Sequence, residues 1–245
     1  MKKFFALAAV AAMFIACGGN ENENEKPNGG EGNGNQTEEP AFKGAITIDG
    51  EYADWAAIEP AVATLPTEGT IKEASIKTVK AYADEFYVYV YAEYDATDIY
   101  VIDLFLDVDN DATTGCVDAN KWGANGLDVL MQGAIYTWSE DKTTQLEGVA
   151  FDPGAFSFGG EPGSNEWNWV SLVEGGIVTS SVPNTVGNLA AIEFAIMRDM
   201  VPVDWGTSVG VGIMMETRAW SAIGKLPALA MESEEAAPML VVTLP

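Results

Sequence analysis

Three aspartates stand at alternate positions in the stretch Leu106-Asp107-Val108-Asp109-Asn110-Asp111-Ala112-Thr113-Thr114-Gly115. Calcium takes about six to eight oxygen ligands from carboxylates, carbonyls and water. A turn that folds back on itself can bring Asp107, Asp109 and Asp111 round one such ion. Asn110, Thr113 and Asp118 can add further oxygens. The alternative is a solvated polar turn, because close carboxylates repel one another and are tolerated without a cation only in water.

A second chemistry is carried by tryptophan. Five of the seven Trp residues, Trp122, Trp138, Trp167, Trp169 and Trp220, lie in or beside expected loops. A sugar ring needs a flat apolar surface for its C–H face, and large apolar groups left exposed mark binding sites. Each of these indoles is equally suited to a core. Catalytic patterns are weaker. Glu166 and Asp152 are acids of the type a glycosidase uses, but nothing sets their separation. No nucleophile motif appears. With no His in the chain, His-based zinc sites, catalytic triads and imidazole-ligated haem are excluded. Met131, Met214 and Met215 carry no haem-ligand pattern. The metal stretch is not an EF-hand: Ala112 stands where the sixth-position Gly is needed and Asp118 where the Glu is needed, and no helices flank it. The expected role of calcium is therefore structural, and the expected protein is not an enzyme.

The elements that must hold these groups read as β. Ser75 to Ala83 alternates loosely. Phe86 to Glu93 alternates strictly, with Phe86, Val88, Val90 and Ala92 on one face and Tyr87, Tyr89, Tyr91 and Glu93 on the other. The tyrosine row suits either a sugar face or the semi-polar outside of a sheet. Tyr100 to Leu106 is an apolar strand that runs into the acidic turn, since strands exclude Asp and Asn. Further strands are expected at 127–131, 134–138, 144–151, 167–170, 177–182, 189–196, 208–217 and 239–244. Ile46 to Ile48 is read as a short strand leading into the turn that carries Trp55, which suits a core residue. The span 152–165, rich in Gly and Pro, is read as a loop. Met197 to Met200 suits one helical turn. Ten to twelve short strands without a long helical period predict an all-β fold, a single jelly-roll-like β-sandwich over residues 42–245.

The chain has 245 residues, 12 Lys+Arg against 37 Asp+Glu, and a formal charge of −25. Such a surface excludes nucleic acid, whose phosphates require cations, and excludes adhesion to anionic lipid by charge. Met1-Lys2-Lys3 followed by an apolar run is a secretory signal over residues 1–16. The small residue before Cys17, and Gly18 after it, resemble a bacterial lipoprotein signal, which implies cleavage that leaves Cys17 lipid-modified. Residues 17–41 are Asn, Glu and Gly with almost no apolar side chains, and are expected to be a disordered tether. This acidic run resembles surface-export signals of Bacteroidota lipoproteins. The expectation is an outer-membrane lipoprotein, exposed at the surface and held by its lipid anchor. Cys116, then the one cysteine left, has no partner for an internal disulfide and suits a buried thiol.

Five pieces occur in an order that resembles the family 9 carbohydrate-binding modules and the wider DOMON-like sandwiches. They are Ile46-Thr47-Ile48-Asp49-Gly50 with Asp54-Trp55; Asp84-Glu85-Phe86-Tyr87-Val88-Tyr89-Val90; Leu106 to Asp111 with Thr114-Gly115; Gly126-Leu127-Asp128-Val129-Leu130; and Ile192-Glu193-Phe194-Ala195-Ile196. The resemblance spans about residues 45–245. It departs from the family at Met197, where Pro usually follows. It implies a β-sandwich with bound calcium and an aromatic sugar clamp, hence non-catalytic binding of a glycan or oligosaccharide beside other surface glycan-utilisation proteins. The rivals are a structural or protein-interaction sandwich of the same fold without a sugar site, and a glycan-active hydrolase.

Overall fold

Strict alternation over 86–93 and an unbroken apolar run over 100–106 require strands buried on at least one face. The computed structural model, which describes residues 44–118, 122–123, 125–231, 233 and 235–245, forms both. The expected signal peptide, the tether and Cys17 lie outside these residues. The described strands are β1 (Ala61–Thr64), β2 (Ile76–Ala83), β3 (Tyr87–Tyr94), β4 (Val101–Asp107), β5 (Val129–Gly133), β6 (Tyr136–Trp138), β7 (Gln145–Gly148) and β8 (Gly154–Phe158). They continue with β9 (Trp169–Glu174), β10 (Val178–Ser180), β11 (Asn184–Val186), β12 (Leu189–Met197), β13 (Ser208–Glu216), β14 (Ala222–Leu226) and β15 (Leu240–Thr243). Among the described residues helix is limited to two 3-10 turns, Tyr52–Ala56 and Arg198–Met200. Among the described residues no helix is long and apolar enough to cross a membrane.

Two antiparallel sheets face each other. The first runs β1-β2-β3-β12-β10, with β11 also on β12; the second runs β14-β13-β4-β5-β8-β9, with β15 also on β13. Their inner faces share one apolar core: Val79, Val90, Ile192 and Phe194 from the first sheet meet Leu104, Leu106, Met131 and Ile213 from the second. Because side chains alternate along a strand, Asp103, Phe105 and Asp107 of β4 must point away from that core. The fold is the expected all-β sandwich.

The outer face of the first sheet is closed by residues 46–58. Tyr89 and Tyr91 are 0% and 4% exposed beneath Ile46 and Trp55. The Tyr89 hydroxyl donates to Asp84 Oδ2 at 2.7 Å and accepts from the Ala45 amide at 3.0 Å. The tyrosine row is thus neither a sugar face nor an open sheet surface; it is a second, smaller core. The expected strand 46–48 does not form, because its amides turn to side chains instead of a ladder: Thr47 N–H donates to Asp54 Oδ2 and Asp49 N–H to Glu193 Oε1. Glu193, 1% exposed, also accepts from Gly50 N–H and, at 2.8 Å, from the Trp55 indole. Burial pushes its carboxyl above the ordinary value, and these donors pull it back. Trp55→Phe removes one donor to this buried acid while keeping the packing. The expected loss is about 1–3 kcal/mol, checked by denaturant unfolding.

Four strands fall where none is expected. β1, β11 and β14 are short, and β8 lies inside the supposed loop 152–165. Gly154 and Pro153 mask it, although Ala155 points into the core while Phe156 and Phe158 point outward.

Candidate functional site

Two features sit on the outer face of the second sheet, both anchored on β4. At its C-terminal end the chain must leave the ladder, and the residues there are acidic. Leu106 pairs with Val129 across β4–β5, and Asp128 N–H donates to the Leu106 carbonyl at 2.9 Å. Asp107 and Asp128 are therefore cross-strand neighbours on one face, and like charges placed so are destabilising. With Asp109 they form a group whose carboxylate oxygens all lie within 4.8 Å of one another. Two oxygens bound to one calcium at about 2.4 Å are at most about 4.8 Å apart, so the spacing fits one ion.

The neighbouring backbone leaves room for this arrangement. A Cβ at Gly115, which has φ +57°, would stand 2.7 Å from Asp128 Oδ1. A Cβ at Gly126 would stand 2.3 Å from the Thr114 carbonyl oxygen and 2.6 Å from that of Asp111. Asp107 is fully buried, accepting from Asn125 Nδ2 at 2.9 Å, the Asp111 amide at 3.1 Å and the Gly126 amide at 3.3 Å. Burial raises its pKa, opposed by these donors. Burial also lifts Asp128, helped by the charges of Asp109, Asp107 and Asp111 and opposed by the Val108 amide, to about 7. The all-oxygen donor set suits a hard divalent cation such as calcium, magnesium or manganese.

The expected ligand set is thus corrected in part. Asp107 and Asp109 meet, but Asp111 does not join them. Its carboxylate turns to Thr113, accepting from the amide at 2.8 Å and the hydroxyl at 2.7 Å. Thr113 is spent on that bond. Asn110 contributes a left-handed turn, φ 54°. Asp118 is not in the group. Asp128 takes the place that Asp111 was expected to fill; its signal is a carboxylate at the entrance to an apolar strand.

The second feature is a cleft of about 520 Å³ further along the same face. Its floor is built by register. Asp103 of β4 pairs with Met214 of β13 on one side and Gln132 of β5 on the other. Gln132 Nε2 donates to Asp103 Oδ1 at 2.8 Å. Glu216, two residues beyond Met214, shares that face, and Leu130 and Phe156 supply apolar floor. Trp167, Trp169 and Trp220 form the walls. Trp167 and Trp169 meet edge to face with centroids 5.8 Å apart, both backed by Phe105. Trp220 comes from the β13–β14 turn, where its backbone is left-handed at φ 56°. Its ring stands at 88° to Tyr100, 5.7 Å away. Trp167 and Trp220 are 61% and 56% exposed. A bulky residue in that backbone region marks local strain held by its surroundings.

Three of the five expected sugar-stacking tryptophans therefore converge, and two do not. Trp122 is fully buried, packed on Phe105 with its Nε1 donating to the Pro227 carbonyl at 2.9 Å. Gly212 lies beneath it, where any Cβ would meet the indole at 2.8 Å. It is core. Trp138 packs against Tyr100 at 6.1 Å, away from the cleft, so it supports Trp220 through that shared ring. Glu166 and Asp152 are not in the cleft; Asp152 Oδ1 accepts from the Gly176 amide. Asp103, Gln132, Glu216 and Phe156 were not expected. Asp103 alone had a signal, a carboxylate inside an apolar strand. Cys116 is buried as expected.

The two features are physically joined. The far arm of the acidic loop bonds the loop that carries Trp167: Gly163 N–H donates to the Gly115 carbonyl and Val117 N–H to the Ser164 carbonyl, both at 2.9 Å. Compared with known proteins, the chain matches no family model, and no curated protein matches it.

Proposed function

We propose that the protein is a non-catalytic glycan-binding module, held at the cell surface by a lipid on Cys17 and stabilised by calcium at Asp107, Asp109 and Asp128. The observation that carries this reading is the cleft on the outer sheet face. Three tryptophans stand round a floor that mixes apolar surface with hydrogen-bonding side chains. Ligand sites combine those two components, apolar walls with a few converging polar groups. The bound sugar stacks its C–H face on Trp167 or Trp220 and sets its hydroxyls against Gln132 and Glu216. Calcium works as a clasp: it offsets the repulsion between Asp107 and Asp128 and fixes the loop that is bonded to the Trp167 arm.

Calorimetry against a panel of oligosaccharides tests the reading. Saturable binding supports it. No binding to any glycan by a folded protein selects a structural or protein-interaction sandwich instead. A second reading, glycan hydrolysis, is favoured by one observation, the two carboxylates Asp103 and Glu216 in the cleft; paired acids are what that chemistry uses. Release of reducing ends from a bound oligosaccharide, lost in Glu216→Gln, would select it.

A further inference from the structure

The polar character of the cleft floor narrows the ligand. Asp103 and Glu216 sit on adjacent strands, in pairing positions offset by two residues on one face. Such diagonal neighbours lie about 7–8 Å apart. Gln132 spends a donor on Asp103, which fixes its amide. A carboxylate accepts at about four positions, so the bonds that hold these two side chains are compatible with another donor from a ligand. Asp103 is 1% exposed; burial disfavours its charged form, and a cation seated above it favours that form and is attracted more strongly than in water. The walls are indole faces, whose quadrupole attracts cations. Carboxylates at the base and tryptophans at the sides together suit a ligand that carries positive charge on an apolar frame.

We propose that the preferred sugar of this cleft is a protonated amino sugar of the glucosamine type, taken ahead of a neutral hexose, with uronates rejected. This rests on the glycan-binding reading. The amine donates towards Glu216 over the negative floor, while the C–H face of the ring stacks on Trp167 or Trp220. An acidic sugar meets like charge at the floor and is repelled.

The test is calorimetry of the whole protein with four disaccharides: diglucosamine, its N-acetylated form, cellobiose and a diuronate. It is run at about pH 6, where an amino group is protonated. Diglucosamine is expected to bind about tenfold tighter than cellobiose or the acetylated form, and the diuronate not at all. Glu216→Gln and Asp103→Asn should each remove most of that preference, read as the ratio of diglucosamine to cellobiose affinity within the same variant. Glu216 is half-buried at a strand end, so its variant remains informative if Asp103→Asn unfolds. The protein's overall charge of −25 attracts any cation. The exposed pair Glu85→Gln and Glu147→Gln removes twice the charge of either cleft variant, away from the cleft, and should leave the preference intact. Cellobiose binding as tightly as diglucosamine overturns the inference and leaves the glycan reading standing. So does a preference that survives Glu216→Gln. Failure of all four sugars overturns the inference, and the oligosaccharide panel then decides the glycan reading separately.

Discussion

If the cleft binds glycan as proposed, replacing Trp220 by Ala is expected to weaken that binding about 30-fold and to leave the melting temperature unchanged. The first half follows from where the indole stands. It forms the outer wall of the cleft and is 56% exposed, and truncating a tryptophan at the centre of a contact costs on the order of 2 kcal/mol, which is about 30-fold. The second half follows from what the residue does not bury. Its backbone is left-handed at φ 56°, and Ala pays the same steric cost there, so that contribution cancels; a surface change otherwise stays within about 0.5 kcal/mol. Trp220→Gly separates the two effects, losing affinity equally while gaining up to about 1 kcal/mol of stability from relief of the left-handed strain. Trp122→Ala behaves in the opposite sense. Trp122 is fully buried, so its truncation costs about 3–5 kcal/mol and weakens binding only as the fold is lost. Calorimetry beside thermal melts measures both. An affinity unchanged in Trp220→Ala and in Trp167→Ala would remove the cleft from the account.

In chelator the protein becomes less stable as pH rises from 5 to 8, and calcium abolishes that loss. The sign follows from Asp128. Its carboxyl titrates near 7 in the fold against an ordinary value of 3.8. A group whose folded pKa is raised favours the fold while protonated. Its contribution is complete below the unfolded value and disappears as pH climbs through the folded one. Asp107 is displaced in the same direction. Asp128 keeps part of its solvent, so the loss is about 1–2 kcal/mol after screening. At about 2–4 °C per kcal/mol for a domain of this size, it is visible in a melt. A divalent cation requires all three acids ionised and so competes with the proton, binding more weakly at pH 5 than at pH 8. Asp128→Asn flattens the pH slope in chelator and removes the calcium response at pH 8. Melts in EDTA and in calcium that coincide at both pH values would leave the acidic turn as a solvated connection.

How much of this is legible in the residues depends on the range of the interaction. Period-two alternation is a local property, and it is clear over 86–93 and 100–106, so β3 and β4 appear close to their expected bounds. β8 is not legible because Pro153 and Gly154 ordinarily punctuate loops, yet here Pro153 immediately precedes the strand and Gly154 begins it. Tyr89 and Tyr91 are legible as one face of a strand but not as buried. What covers them is residues 46–58, whose docking is set by Glu193, 138 residues beyond Trp55. The acidic turn shows the same division. Asp107 and Asp109 are two residues apart in sequence and are readable. Asp128 reaches them through β4–β5 pairing, which no spacing rule within the turn encodes.

The sequence by itself determined the all-β class, the acidic turn at the end of an apolar strand, the excess of tryptophan and the strong negative charge. All are properties of composition or of neighbours within a few residues. Only the tertiary structure decided which side chains meet. Alternation puts Asp103 and Asp107 on the outer face of β4, but pairing with β5 and β13 is what adds Asp128 at one end and Gln132 and Glu216 at the other. It also decided that Trp122 is core while Trp167, Trp169 and Trp220 converge, because an indole's exposure depends on what packs over it, and that packing is made by residues distant in the chain.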